Sequence, residues 1–272
     1  MKSRLILRII LSLIITLSAA YYQRKTGPTY PIEGELKHGD TQIRYKLLRS
    51  HGGESDQPVT ITVPDTSMNG FVVFRRYKTG DIWKAMKMKR QGEELYGSLP
   101  HQPAAGKLEY YIIVTHQDQA IYIPQYQVVI TRFKGHVPLG ILIPHVIIIF
   151  LAMFISTLAG LEALAKGKYM YRFSIWASIL LFLGGMILGP LVQKFAFDAF
   201  WTGFPLGLDL TDNKTLIAMV FWFVALWRGR NDRPARGWII TAAVVLLIVF
   251  SIPHSMFGSE LDYHSMQVGT GD

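Results

Sequence analysis

Five stretches of this chain are apolar over lengths that a water-soluble domain does not need, and their spacing constrains the fold more than any other feature. Leu5 to Tyr22 is nearly all apolar, interrupted only by Arg8 and small hydroxyl residues. Pro138 to Ala165, Phe173 to Val192, Thr215 to Trp227 and Trp238 to Pro253 follow after a long interval. A bilayer core is crossed by about 20 helical residues, in a range of about 17–25. The pattern predicts a multi-domain membrane protein: an N-terminal transmembrane helix, a water-soluble insert, and a four-helix transmembrane bundle. The expected domains are 1–22, 23–135 and 136–272, with an external loop at 193–214 and an external tail at 254–272.

The charges orient these segments. Lys2, Arg4 and Arg8 open the first; Lys166, Lys168 and Arg172 lie between the second and third; Arg228, Arg230, Arg233 and Arg236 lie between the fourth and fifth. If every segment crosses, the three clusters share one side, which the positive-inside rule makes cytoplasmic. The expectation is five crossings in a bacterial inner membrane, with the N-terminus inside and both the insert and the C-terminus outside. The first segment has two readings: an uncleaved anchor with Tyr21-Tyr22 in the interfacial belt, or a signal peptide cleaved after Ser18-Ala19-Ala20. The chain has no cysteine, which removes disulfides, thiolate metal sites and cysteine nucleophiles. Its 28 Lys+Arg against 19 Asp+Glu give a formal charge of +9. On an exported surface that excess points away from nucleic acid.

The insert alternates apolar and polar residues in short runs: Thr41 to Leu48, Val59 to Val63, Gly70 to Tyr77, Ile82 to Met88, Leu108 to Val114 and Gln125 to Ile130. Turn chemistry separates them, as in Gly39-Asp40, Gly52-Gly53 and Thr79-Gly80-Asp81. This predicts an antiparallel sandwich. Phe71 to Tyr77, Trp83 to Met88, Glu94 to Leu99 with Pro100, Gly106 to Val114 and Ala120 to Pro124 resemble a fibronectin type III or immunoglobulin-like module. The resemblance implies a fold and no particular activity; such modules bind, space or brace other domains.

Two groups of residues are candidates for function. Lys84, Lys87, Lys89 and Arg90, next to Arg75, Arg76 and Lys78, form a basic run that reads as an anion or partner patch, or as an edge strand protected by lysines. His51-Gly52-Gly53-Glu54 reads as a loop, and no metal site is expected. In the helical part, Ala152, Ser156 and Gly160 make a small-residue stripe that includes His145, and Gly185-x-x-x-Gly189 is followed by Pro190, near which the helix is expected to kink or end. At 1.5 Å per residue, His145, Pro190, Asn213 and His254 all stand about 22–27 Å above the cytoplasmic edge. This predicts an outward-facing polar cluster of His145, Asp209, Asp212, Asn213, Lys214 and His254, over which Glu260, Asp262 and His264 fold back. Polar residues at such depth mark a site by default. They also have plain structural uses: a helix cap at Thr211 or Asp212, a snorkelling Lys214, an interhelical bond from His145.

The expected function is non-enzymatic ligand or partner binding, or assembly in a membrane complex, with no cofactor. Its partners would be the bilayer and another membrane or periplasmic protein. The alternative is a redox subunit in which His145 and His254 ligate a b-type haem, or His145 meets a quinone. The chain holds no Gly-x-Ser-x-Gly, no His-Glu-x-x-His and no phosphate-binding glycine loop, so no catalytic residue is assigned.

Overall fold

A computed structural model describes residues 2–117, 119–230, 235–253, 256 and 258–270. The chain divides into two compact units: residues 1–28, 137–259 and 270–272 in one, and 29–136 with 260–269 in the other.

The first unit is helical. It contains α1 (Lys2–Thr26), α2 (Leu139–Leu164), α3 (Met170–Leu181), α4 (Gly189–Phe197), α5 (Leu210–Arg228) and α6 (Arg236–Ser251). A π-helical segment, Phe182–Leu188, joins α3 to α4. Among the described residues, three helical stretches are long and apolar enough to cross a membrane: Ser3–Thr26, Leu139–Leu164 and Met170–Phe197. The expected four-helix bundle after the insert is therefore met in part. Two of its segments have that length, α6 is an apolar helix of 16 residues, and α5 carries Asp212 and Lys214 in its first turns. The apolar run at Thr215 is extended N-terminally by a full turn, so α5 reaches 19 residues, about 28 Å.

Pro190 does not end its helix. It has no N–H to donate to the preceding turn. The π segment just before it absorbs the misfit, and the helix continues to Phe197.

The helices pack through the small-residue stripe. Ala152, Ser156, Ala159 and Ala163 are completely buried. A Cβ on Gly160 would lie 2.7 Å from the Ala243 Cβ of α6, and one on Gly185 would lie 2.7 Å from the Thr215 Cγ2 of α5. Only glycine lets these backbones approach so closely. Trp222 of α5 fills the centre of the same core with Leu181, Ile239 and Leu246.

The second unit is a β-sandwich-like pair of sheets. Its strands are β1 (Ile32–His38), β2 (Thr41–Leu47), β3 (Ser50–Gly52), β4 (Gln57–Thr62), β5 (Asn69–Arg76), β6 (Lys84–Lys87), β7 (Lys89–Gln91), β8 (Glu94–Leu99), β9 (Lys107–His116), β10 (Gln119–Ile123) and β11 (Val129–Lys134). One sheet runs β1-β2-β4-β8-β7 and the other β3-β11-β9-β5-β6, with β10 also on β9. The alternation in β9 shows why: Leu108, Tyr110, Ile112 and Val114 are buried while the residues between them are half-exposed. Ile43, Val59 and Leu95 from one sheet meet Val72, Ile112 and Phe133 from the other in a single core. The run at Gln125 to Ile130 is displaced, because β10 stops before Pro124, the fully exposed Tyr126 lies in a bend, and pairing resumes at Val129. A last hairpin pairs β12 (Ser259–Asp262) with β13 (Gln267–Thr270).

Candidate functional site

Within the helical unit, Asp209, Asp212 and Asn213 converge on the turn at Thr202 to Phe204. Asp209 is the N-cap of α5, three residues before Asp212. Its Oδ1 accepts from the Thr211 N–H at 2.7 Å. Its Oδ2 accepts from the Thr202 hydroxyl at 2.9 Å and the Ser259 hydroxyl at 3.2 Å. Asp212 Oδ2 accepts from the backbone N–H groups of Thr202 (2.7 Å) and Gly203 (3.0 Å) and from Gln193 Nε2 (3.2 Å). Asn213 Oδ1 accepts from the Phe204 N–H at 2.7 Å. Thr202 uses both capacities of its hydroxyl, receiving from Gln193 Nε2 at 2.8 Å while donating to Asp209.

Asp209, Asp212, Thr202, Lys214 and Ser259 are all buried. A buried carboxylate without donors is costly, and each of these has them. Gly203 is required by the crowding: a Cβ there would lie 2.5 Å from Asp212 Cβ and 2.9 Å from Asn213 Oδ1. Lys214 donates to the Ile252 carbonyl just beyond α6 at 2.8 Å. The group is a hydrogen-bond network that fixes the 198–209 loop on α5. No group of three or more His, Asp or Glu among the described residues is arranged to hold a metal.

His145 has a different partner. Its Nδ1 bonds the Gly184 carbonyl at 3.0 Å, in the π segment, and its ring lines a separate cavity. His254 lies outside the described residues, as does Arg233.

The basic run divides between the sheets. Lys84 and Lys87 are on β6, Lys89 and Arg90 on β7, and the buried Met88 marks the crossing between them. Arg90 is committed to the protein's own backbone, donating to the carbonyls of Val63 (2.8 Å), Asp65 (3.1 Å) and Met68 (2.7 Å). Lys84, Lys87 and Lys89 are exposed on strands at the sheet edges.

The segment 260–269 belongs to the β unit. Glu260 pairs with Lys107 and, at 3.2 Å, with Lys78. The Tyr263 hydroxyl donates to the Lys107 carbonyl at 3.0 Å. Burial pushes the Glu260 carboxyl up, but the bonds and charges of Lys107 and Lys78 outweigh it and leave its pKa below the ordinary value. Burial lowers Lys107 against the pull of Glu260, and burial raises Tyr263 to about 12.

Three features carry weak or no sequence signal. Gln193, Thr202 and Ser259 are neutral residues whose roles emerge only on folding. Arg8 of α1 forms an ion pair with Glu162 of α2, whose side chain is 2% exposed. Its signal was a lone acid in one apolar run and a lone arginine in another. The third is a row across the outer face of the six-stranded sheet, apolar except for Lys87 at its edge. Lys87, Phe71, Ile113 and Tyr122 are successive cross-strand neighbours, with Ala85, Val73 and Tyr111 alongside. Trp83 stacks edge-on against Tyr111 at 5.1 Å, and the Arg75 guanidinium lies 4.5 Å over the Trp83 ring. Arg75 in turn pairs with Glu109 at 2.5 Å.

No protein-family model matches the chain, and no curated protein matches it in sequence.

Proposed function

We propose that this chain is an integral membrane protein whose exported, immunoglobulin-like module docks another protein, and that it works by binding and assembly rather than catalysis. The aromatic row on the six-stranded sheet carries this reading. Three neighbouring strands about 4.8 Å apart give the apolar part of the row, Phe71–Ile113–Tyr122, a width of about 10 Å. That is the scale of the central anchor of an interface rather than of a whole one. Tyr122 is 51% exposed, and the exposed Lys87 flanks the apolar surface with positive charge. A partner with apolar side chains ringed by carboxylates fits this face.

The immunoglobulin-like reading is supported by strand order. β2-β4-β8-β7 corresponds to the A-B-E-D sheet of such a sandwich, and β11-β9-β5-β6 to G-F-C with an added edge strand. Trp83 departs from the family pattern, since it lies on the outer face rather than in the core. Five crossings in a bacterial inner membrane, N-terminus inside, are supported by the three lysine and arginine clusters and the three span-length helices. The remaining two crossings would be α5 and α6.

The test is photo-crosslinking in intact membranes, with benzoylphenylalanine replacing Tyr122 and, as control, Tyr96 on the other sheet. The expected result is one discrete adduct from Tyr122, lost on adding Phe71→Ser, and none from Tyr96. Equal adducts from both positions, or none from Tyr122, would overturn the proposal.

A further inference from the structure

α1, α2, α4 and α6 surround a cavity of about 260 Å³. Ala20, Ile149, Phe150, Met153 and Phe250 give it apolar walls; His145 and Gln23 supply polar groups, with Gln23 Nε2 also donating to the Ile252 carbonyl at 3.4 Å. Its volume is below the about 300–1,000 Å³ of a pocket that encloses a whole small molecule. It suits the head of a molecule whose tail lies elsewhere.

The chemistry of that head follows from the histidine. The Gly184 carbonyl accepts from His145 Nδ1, and a carbonyl can only accept, so the proton of the neutral ring sits on Nδ1. Nε2 is then an acceptor, and no residue among those described bonds it. The same carbonyl takes the N–H of Gly189 through the wider turn of the π segment. That turn is held close to α2, since a Cβ on Gly184 would lie 2.9 Å from Ile149 Cγ1. One carbonyl therefore fixes both the irregular helix and the imidazole tautomer. Isolated π turns occur disproportionately at functional sites.

We infer that this cavity binds the hydroxyl head of a membrane-soluble amphiphile, the hydroxyl donating to His145 Nε2 and the hydrocarbon tail leaving between the helices. Two kinds of molecule share that chemistry, prenyl alcohols and quinols. The inference rests on the membrane reading. Failure of that reading shows separately, as release of the chain from membranes by alkaline carbonate.

The test uses the full chain in lipid nanodiscs and tritiated farnesol, measured by scintillation proximity. Competitors are farnesol, its methyl ether, a short-chain quinol and the matching quinone. Saturable binding is expected at one molecule per chain. The ether, which cannot donate, should compete about five-fold more weakly than farnesol, the size of one neutral hydrogen bond. The quinone should fall below the quinol for the same reason. His145→Leu should bring farnesol down to the ether and leave the ether unchanged. Val146→Trp, which fills the cavity from an exposed position, should abolish both. A quinol stronger than farnesol assigns the quinol class, and the reverse assigns prenyl alcohols. Non-saturable binding, an ether equal to farnesol, or a quinone equal to the quinol overturns the proposal, and the alcohol–ether comparison needs no variant at all.

Discussion

Neutralising Glu162 should loosen the helical unit through α1. The Glu162 side chain is 2% exposed and Arg8 is 20% exposed. Besides Arg8, the carboxylate accepts from the Tyr169 N–H at 3.3 Å, and a Cβ on Gly167 would lie 2.1 Å from its Oε1. Glu162→Gln keeps the shape and the bond to Tyr169 but leaves Arg8 without its counter-charge. Breaking a buried pair costs about 3–5 kcal/mol. Since Arg8 retains some access to solvent, the lower end applies, about 3 kcal/mol, or a Tm decrease of about 6–12 °C for a unit of this size. Arg8→Leu should cost a similar amount, because it strands the more deeply buried carboxylate. The double variant Arg8→Leu/Glu162→Gln should cost no more than either single variant, giving a coupling of about 3 kcal/mol. The assay is thermal unfolding of the full chain in detergent. It also decides the fate of the first helix. If residues 1–20 were removed after export, Arg8→Leu would change nothing in the mature protein. Additive single variants, or a silent Arg8→Leu, would refute the reasoning.

Other perturbations have equally definite outcomes. Gly160→Val should force α2 from α6 and cost about 1–3 kcal/mol by overpacking, seen as a lower Tm in the same assay. Thr202→Val removes the donor to Asp209 and the acceptor for Gln193, and should raise hydrogen exchange across residues 198–209 while sparing α2. Arg90→Ala leaves the carbonyls of Val63, Asp65 and Met68 without their charged donor and should destabilise the sandwich by about 2 kcal/mol, read from exchange in β4 and β8. The Glu260 carboxyl sits below its ordinary 4.5, so its ion pairs stabilise the 260–269 segment above that pH and are lost as the pH falls through the lowered value. Proteolysis of the segment should therefore rise steeply in acid, and Glu260→Gln should show the raised rate at neutral pH as well.

The sequence revealed elements whose cause is local. Apolar runs near bilayer length announced the helices, and alternation around Leu108 to Val114 announced β9, because burial on one face leaves its period in the text. The small-residue stripe at Ala152, Ser156 and Gly160 marked the face that meets α6, since close approach demands small side chains. Pro190 marks the irregular stretch but not its form, because a π turn has no composition of its own. The polar run offers Thr211 and Asp212 as caps of α5, but Asp209 takes the position, since several residues there can cap and only the fold selects one. The 260–269 segment meets the β unit through a pairing of Glu260 with Lys107, 153 residues away, and no local pattern encodes that. The committed role of Arg90 was hidden for the same reason: its acceptors are backbone carbonyls, which every residue has.

The orientation proposed for the chain in a membrane underlies its proposed function, and the absence of cysteine makes it directly measurable. Single cysteines replace Tyr126 in the sandwich and Lys166 between α2 and α3, and intact cells are treated with a membrane-impermeant maleimide. Tyr126→Cys should label at once, and Lys166→Cys only after permeabilisation. Equal labelling of the two before permeabilisation, or the reverse order, would contradict the account.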